Sequence, residues 1–395
     1  MKTTLIIEEI HRMRFEDIYG RYQSKDISCE EAAEILGISE RSFLRKRRRY
    51  ESAEFDGRFD MRIGKISSQR AADKEVKFIT QLYCDRYRGF SVQHFYEFAR
   101  REHQVSRSYS WTKNVLGGAG LIQKSTRGGK HRLRRERRPM AGMMLHQDGS
   151  THLWIPALDH NFDLIVTMDD ATSEITSAFL VEEEGTMSTF RGLRETIEKY
   201  GLFCSLYTDR GSHYFYTPEA GGKVDKHART QVGRALKQLG VKHISAYSPQ
   251  ARGRSERMFG TLQNRLPKEF ALQDIKTIEE ANAYLRDVYL PRHNKQFTVT
   301  AKDSKSAFIP WVGPGLKDIL CIQEERIVQN DNTIRYEGLI LQIPKNDYRH
   351  HYVRTTVNVH TYDDGSLAVF YGHMCIGKYD MKGNLLKEEQ VCLAA

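Results

Sequence analysis

MMLHQDGSTHLWI, Met143 to Ile155, is the stretch on which the fold is decided. Met143, Met144 and Leu145 are an apolar run that reads as a buried strand over 142–148, and Asp148 ends it. Working outward, the pattern predicts strands at 162–169, 175–182, 203–208 and 242–246. Helices are predicted at 186–200, 228–239 and 254–271, with one more helix and an exit segment over 277–297. Three consecutive strands followed by strand–helix alternation predict a mixed α/β sheet.

Two further acids stand in contexts like that of Asp148. Asp209 ends the run Cys204-Ser205-Leu206-Tyr207 and is followed by Gly211, which turns the chain. Glu256 comes shortly after Pro249 and Gly253, at the predicted start of a helix. Taken singly, each has a plain structural use, since an Asp before Gly forms turns and a Glu in a first turn caps helices. Together, carboxylates at two strand ends and one on a packed helix can converge on a point. That is the donor set for a pair of Mg²⁺ or Mn²⁺ ions, which take hard oxygen ligands. The neighbouring pair Asp169-Asp170 falls at the turn between the second and third strands, at the other end of the sheet, and reads as structural.

The flanking residues carry a resemblance. TDRGSHY around Asp209 is similar to T-D-x-G-x-x-[FY], and YSPQARGRSE leading to Glu256 is similar to Y-[SN]-P-Q-x-x-G-x-x-E. With HQDGSTHLWI for the first acid, they resemble the Asp-Asp-Glu core of the retroviral integrase and bacterial insertion-sequence transposase superfamily. The resemblance spans roughly residues 140 to 300, and the surrounding modules look most like the ISNCY group. It implies a ribonuclease-H-like catalytic core with Asp148, Asp209 and Glu256 as catalytic residues and metal ligands. Asp148 would bridge two ions, and Asp209 and Glu256 would each hold one. It implies a DNA transposase that binds the terminal inverted repeats of its element. Nicking would free 3′-hydroxyl ends, which are then joined to target DNA by two-metal phosphoryl transfer. Double-stranded DNA, both element ends and target, is then the partner, and a homodimer or higher oligomer on DNA is expected. The alternative is a non-catalytic DNA-binding regulator derived from a transposase. Two departures from the family pattern stand out. Asp209 and Glu256 are separated by 46 residues, a longer gap than is common, and the excess falls around Tyr214 to Arg229. Gln263 stands where many relatives carry Lys or Arg, seven residues after the Glu.

Charge is distributed unevenly. Residues 1–140 hold 31 Lys and Arg against 19 Asp and Glu, whereas the remaining residues hold 30 against 32. The excess positive charge therefore lies in the first third, as in a chain that grips phosphate in one place and holds metal in another. Residues 28–50 read as helix, turn and helix, with Ser28 and Glu31 forming a capping box. The second helix carries Arg41, Arg45, Lys46, Arg47, Arg48 and Arg49, so 1–55 is read as a helix-turn-helix domain for a DNA groove. A second helix-turn-helix or winged-helix domain is expected over 70–123, presenting Arg107 and Lys113. Residues 124–139 form a basic linker in which Lys130, Arg132, Arg134, Arg135, Arg137 and Arg138 contact DNA. Arg252 and Arg254, beside Glu256, complete the expected phosphate contacts.

The catalytic core is placed at 140–300. Beyond it, 315–395 alternates as strands do, with Asp364-Gly365 as a hairpin turn, and predicts a small β-barrel. The whole reads as a multidomain α+β chain. Its six cysteines are scattered without a C-x-x-C pair, which argues against a zinc site or a disulfide framework. No stretch approaches 18 apolar residues, and Met1–Ile10 has acids where a signal peptide has bases. No membrane partner is expected, and a reducing bacterial cytoplasm, nucleoid-associated when DNA is bound, is the predicted location.

Overall fold

The structure is a computed structural model, and it describes residues 2–52, 59, 70–123, 136–216, 229–246, 253–313, 315–346 and 349–386. The chain divides into two compact units. One comprises Met1–Arg86 and Ser110–Ile122, the other Tyr87–Tyr109 and Gln123–Ala395.

The first unit opens with α1 (Lys2–Gln23), α2 (Cys29–Leu36) and α3 (Glu40–Tyr50). Ser28 caps α2 through a capping box: the Glu31 N–H donates to its hydroxyl at 3.2 Å, and its own N–H donates to Glu31 Oε2 at 2.7 Å. Gly37, at φ 64°, ends α2 in the left-handed conformation that a side chain disfavours. Phe15 and Ile18 of α1, Ala32 and Ala33 of α2 and Phe43 of α3 make a small core. Farther along lie α4 (Asp73–Arg86) and α6 (Tyr109–Gly118).

The second unit holds α5 (Val92–His103) and a five-stranded sheet of order β3-β2-β1-β4-β5. Its strands are β1 (Leu145–His152), β2 (Phe162–Asp169), β3 (Ile175–Val181), β4 (Ser205–Thr208) and β5 (Lys242–Ser245). The pairs β1–β2 and β2–β3 are antiparallel, and β1–β4 and β4–β5 are parallel, so β2 alone runs against the others. The sheet is therefore mixed and covered on both faces. One face packs Leu164, Val166 and Ile175 against Met258, Leu262, Leu266 and Phe270 of α9 (Gly253–Leu272). The other packs Leu145 and Leu206 against Leu193 and Ile197 of α7 (Thr186–Tyr200) and Val232 and Leu236 of α8 (Gln231–Gln238). Gly192 on α7 permits the close approach to β1, because a Cβ there would stand 2.5 Å from Gln147 Nε2.

After α9 come α10 (Ile278–Tyr284), a π-helical turn (Leu285–Tyr289) and α11 (Leu290–Phe297). Two of their side chains dress the outer edge of β3. Asn282 accepts the Leu180 N–H at 2.7 Å and donates to its carbonyl at 3.0 Å. Asn294 does the same for Ile175, at 3.0 and 2.8 Å.

Helix α5 is joined to α9 by buried charge. Arg265 forks onto Glu97 with bonds of 2.6 and 3.0 Å, and His94 Nε2 lies 2.8 Å from Glu269 Oε1. Glu269 also accepts from Tyr284 at 2.7 Å and from Arg292. Burial opposes ionisation of Glu269, yet these donors hold its carboxyl below the usual range.

A short helix α12 (Leu316–Ile319) leads to β6 (Ile322–Ile327), β7 (Thr333–Tyr336), β8 (Leu339–Gln342), β9 (Thr356–Thr361), β10 (Leu367–Tyr371) and β11 (Met374–Tyr379). Strands β11-β10-β9-β6 form one antiparallel sheet, and β7 and β8 pair only with each other. The expected barrel is thus a sheet and a separate hairpin over one core of Ile334, Leu341, Val359 and Val369, with no closed ring among the described strands. No described helix is long and apolar enough to cross a membrane.

Candidate active site

Asp148 is the fourth residue of β1, on the central strand, and is 8% exposed. β1 and β4 run parallel with Leu145 opposite Leu206 and His146 opposite Tyr207. Continuing that register by two residues sets Asp148 opposite Asp209, the first residue beyond β4. The Gly211 N–H donates to Asp209 Oδ1 at 2.8 Å and turns the chain there. Both acids act on one hydroxyl. Tyr214 is held well above the ordinary tyrosine range, first by burial, then by Glu184, with Asp148 and Asp209 adding to the effect.

Side chains alternate along β1, so Leu145, Gln147 and Gly149 face α7 while His146, Asp148 and Ser150 face α9. Two contacts tie that second face to α9. Gln263 donates to Ser150 Oγ at 3.0 Å, and Arg254 bonds Asp170, whose Oδ1 is also 2.7 Å from His146 Nε2. Asp148 lies between these contacts on the strand, and Glu256 lies between them on the helix. Glu256 is exposed and shares its helical stripe with Gln263, seven residues and about two turns on. Asp148 therefore faces α9, the helix that carries Glu256.

Among the described residues, no group of three His, Cys, Asp or Glu stands close enough together to hold a metal ion. Asp148 and Asp209 come together, whereas Glu256 remains open at the helix start. The preceding motif residues Tyr247 to Arg252 lie outside the described residues. The donor type, carboxylate oxygen with Asp148 at 8% exposure on the central strand, is the type that Mg²⁺ or Mn²⁺ takes.

Glu184 was not singled out by sequence. Its carboxylate lies against the backbone of Gly149, where a Cβ would be 2.2 Å from Oε2. It also accepts from the Tyr214 hydroxyl at 3.4 Å and lies 3.5 Å from His213 Nε2. Asp163 orients this turn, accepting the Glu184 N–H at 2.7 Å and the Thr151 hydroxyl at 2.5 Å. Glu184 thus bridges the strand bearing Asp148 and the loop that follows Asp209. In sequence it is the last of three consecutive glutamates, and only the strand-to-helix turn at Gly185 distinguishes it.

The expected DNA contacts fall in several places. Arg41, Arg45 and Arg48 line one exposed stripe of α3. Lys46 lies over the Phe59 ring, and Arg49 donates to the Phe59 carbonyl at 3.0 Å. Arg107 precedes α6 and Lys113 is exposed on it. Arg137 donates to the carbonyls of Asp170 and Ala171 at 3.0 and 3.1 Å, and the Arg138 N–H donates to Asp170 Oδ2 at 2.8 Å. Arg254 has a side chain only 8% exposed, turned inward onto Asp170 rather than outward to solvent. Lys130, Arg132, Arg134, Arg135 and Arg252 lie outside the described residues.

Among known proteins, a Sinorhizobium fredii (strain NBRC 101917 / NGR234) protein named as transposase y4bF is 30% identical over 350 residues. That match covers 87% of this chain and 75% of the relative. The transposase for insertion sequence IS1202 of Streptococcus pneumoniae is 31% identical over 205 residues, 52% of this chain and 43% of its own length. Of solved structures, a chain of the simian T-cell lymphotropic virus intasome in complex with PP2A regulatory subunit B56 gamma is 14% identical. It covers 70% of this chain and 90% of its own, with a TM-score of 0.35. The HTLV-2 integrase catalytic core domain in complex with magnesium is 17% identical over 38% of this chain and 91% of its own, with a TM-score of 0.28. No family model matches the chain.

Proposed function

This chain belongs to the transposases, and from that premise we propose that it is an insertion-sequence transposase with an integrase-type core, which nicks DNA at its element's ends and joins the freed 3′-hydroxyls to target DNA. The observation that carries the reading is the placement of three acids. Asp148 is on the central strand, Asp209 directly follows the adjacent parallel strand, and Glu256 lies in the first turn of the helix packed on the Asp148 face. That order and layout support the reading of a ribonuclease-H-like catalytic core.

Asp148, Asp209 and Glu256 would hold two Mg²⁺ or Mn²⁺ ions, which when bound neutralise charge on the scissile phosphate and activate water or a 3′-hydroxyl. The chain's own part is to bring these carboxylates onto one side of a rigid sheet. Glu184 fixes the loop after Asp209, so that little reorganisation is left for the reaction. The terminal repeats would be gripped by the first third of the chain. Arg41, Arg45 and Arg48 would contact phosphates from α3, and the 70–123 helices and the basic 124–139 segment would extend the grip. The residues past 315 are read as a small barrel-like module. Two ends must meet for joining, so a dimer or higher oligomer assembled on DNA follows.

The test is a nicking and joining assay on labelled DNA from each flank of the coding region, with Mg²⁺ or Mn²⁺. Defined 3′ ends and joined products that disappear in Asp209→Asn and Glu256→Gln are the expected result. Tight binding of the flanks with no cleavage in either metal would overturn the catalytic reading and leave a DNA-binding regulator.

A further inference from the structure

Asp170 is fully buried at the turn after β2, where three separate segments of the chain meet its carboxylate. Its Oδ1 receives His146 Nε2 at 2.7 Å and the Arg254 guanidinium, and its Oδ2 receives the Arg138 N–H at 2.8 Å. Its own N–H donates to the Met144 carbonyl at 3.0 Å, which fixes it to the start of β1. His146 stands two residues before Asp148, and Arg254 stands two residues before Glu256. Two residues along a strand return to the same face about 6.6 Å on, and two along a helix rise about 3 Å. A single buried carboxylate therefore holds the strand that carries the first acid and the helix turn that carries the third.

Stability alone is a weak reason for this arrangement. Desolvating an Asp, an Arg and an imidazole offsets most of their mutual attraction, so such clusters add little net stability over apolar packing. What they supply is a fixed geometry. Farther along α9, Gln263 bonds Ser150 of β1, so the helix is tied to the strand on either side of Glu256.

We propose that Asp170 is a positioning residue for the reaction: by holding His146 and Arg254 it sets the spacing between Asp148 and Glu256, without itself touching metal or phosphate. The proposal rests on the assignment of the three acids above. It also gives Arg254 a role inside the protein, and gives the segment ending at Arg138 a fixed entry point beside the same carboxylate.

The test uses the full chain and Mn²⁺ as the probe. Mn²⁺ is titrated without DNA and followed by the electron paramagnetic resonance of the free ion, beside joining kinetics and melting temperature. Arg254→Gln and Asp170→Asn should weaken Mn²⁺ binding by about tenfold or more, the range for residues that orient metal ligands. They should lower kcat while KM for DNA stays within about twofold, and Arg254→Lys, which keeps a cation in reach of Asp170, should recover most of both. If Asp170→Asn does not fold, the two Arg254 variants decide the matter. Normal Mn²⁺ affinity and kcat with only a lower melting temperature would overturn the proposal, leaving a structural ion pair. A raised KM with unchanged kcat and a smaller salt dependence would also overturn it, making Arg254 a phosphate contact. A wild-type chain that neither binds Mn²⁺ nor joins DNA overturns the assignment of the acids as well. Wild type and variants that all do both overturn this proposal alone.

Discussion

Replacing Arg265 by Met should destabilise the chain by about 3 kcal/mol, and the size follows from what is left behind. Arg265 is 9% exposed and forks onto Glu97, which is 20% exposed. Its guanidinium also lies 5.0 Å from the Phe297 ring centre. Breaking a buried pair by removing one partner costs about 3–5 kcal/mol, because the other charge stays buried. Here Glu97 keeps donors from Gln93 at 3.0 Å and Gln296 at 2.5 Å, which places the cost at the lower end. Glu97→Gln leaves an amide oxygen for the guanidinium and should cost about 2 kcal/mol. The double variant has no unpaired charge and should lie within about 2 kcal/mol of wild type, so the two sites should couple by about 3 kcal/mol. The assay is urea denaturation of the four proteins followed by tryptophan fluorescence, with Trp154 reporting on the core. Additivity within about 0.5 kcal/mol would refute the reasoning. It would mean that α5 and α9 are not joined by this pair.

Other outcomes can be stated briefly. Burial lowers His293 to about 4, against about 6.5 in an unfolded chain, so between these values the unfolded state takes up the proton and the folded state does not. Stability therefore falls as pH drops below about 6.5, by about 1.4 kcal/mol at pH 5.5 through this residue, and denaturation of His293→Phe at pH 7.5 and 5.5 should show that loss removed. His243, also lowered to about 4 by burial, should add a similar acid sensitivity. Gly149→Ala should cost about 1 kcal/mol, since the new methyl pushes the Glu184 carboxylate off Tyr214, but under about 0.5 kcal/mol in a Glu184→Ala background. Equal costs in both backgrounds by denaturation would count against that contact. Mn²⁺ at a hundred times its dissociation constant should stabilise wild type by about 2.7 kcal/mol, and a thermal shift should show this missing in Asp148→Asn.

Much of this architecture could be read from local pattern. β2 was expected at 162–169 and α7 at 186–200, and both fall there, because a buried strand and an amphipathic helix each declare themselves within one window. The first helix, Lys2–Gln23, was not foreseen. Ile6, Ile7, Ile10 and Met13 are exposed, and the residues that turn inward, Phe15, Ile18, Tyr19 and Tyr22, crowd into its second half, so no clean apolar stripe marks it. The acids were legible because each closes an apolar run or opens a helix beside glycine or proline. Their supports were not. Arg254 finds Asp170 across 84 residues and Glu97 finds Arg265 across 168. Nothing in the sequence around Arg254 signals that it pairs with an Asp so far away. Glu184 is hidden in a different way, since Glu182, Glu183 and Glu184 look alike in sequence and only one of them meets Gly149.

The two asparagines that α10 and α11 lay along the edge of β3 bear on how copies of the chain can meet. An open sheet edge invites an extended segment from a neighbour, and molecules brought together on adjacent DNA ends would meet at high local concentration. Asn282 and Asn294 already occupy the backbone groups of Leu180 and Ile175, so an incoming strand would first have to break four hydrogen bonds at the two ends of that edge. A neighbouring copy brought close would therefore meet an edge already capped at both ends, and its sheet could not simply merge with this one.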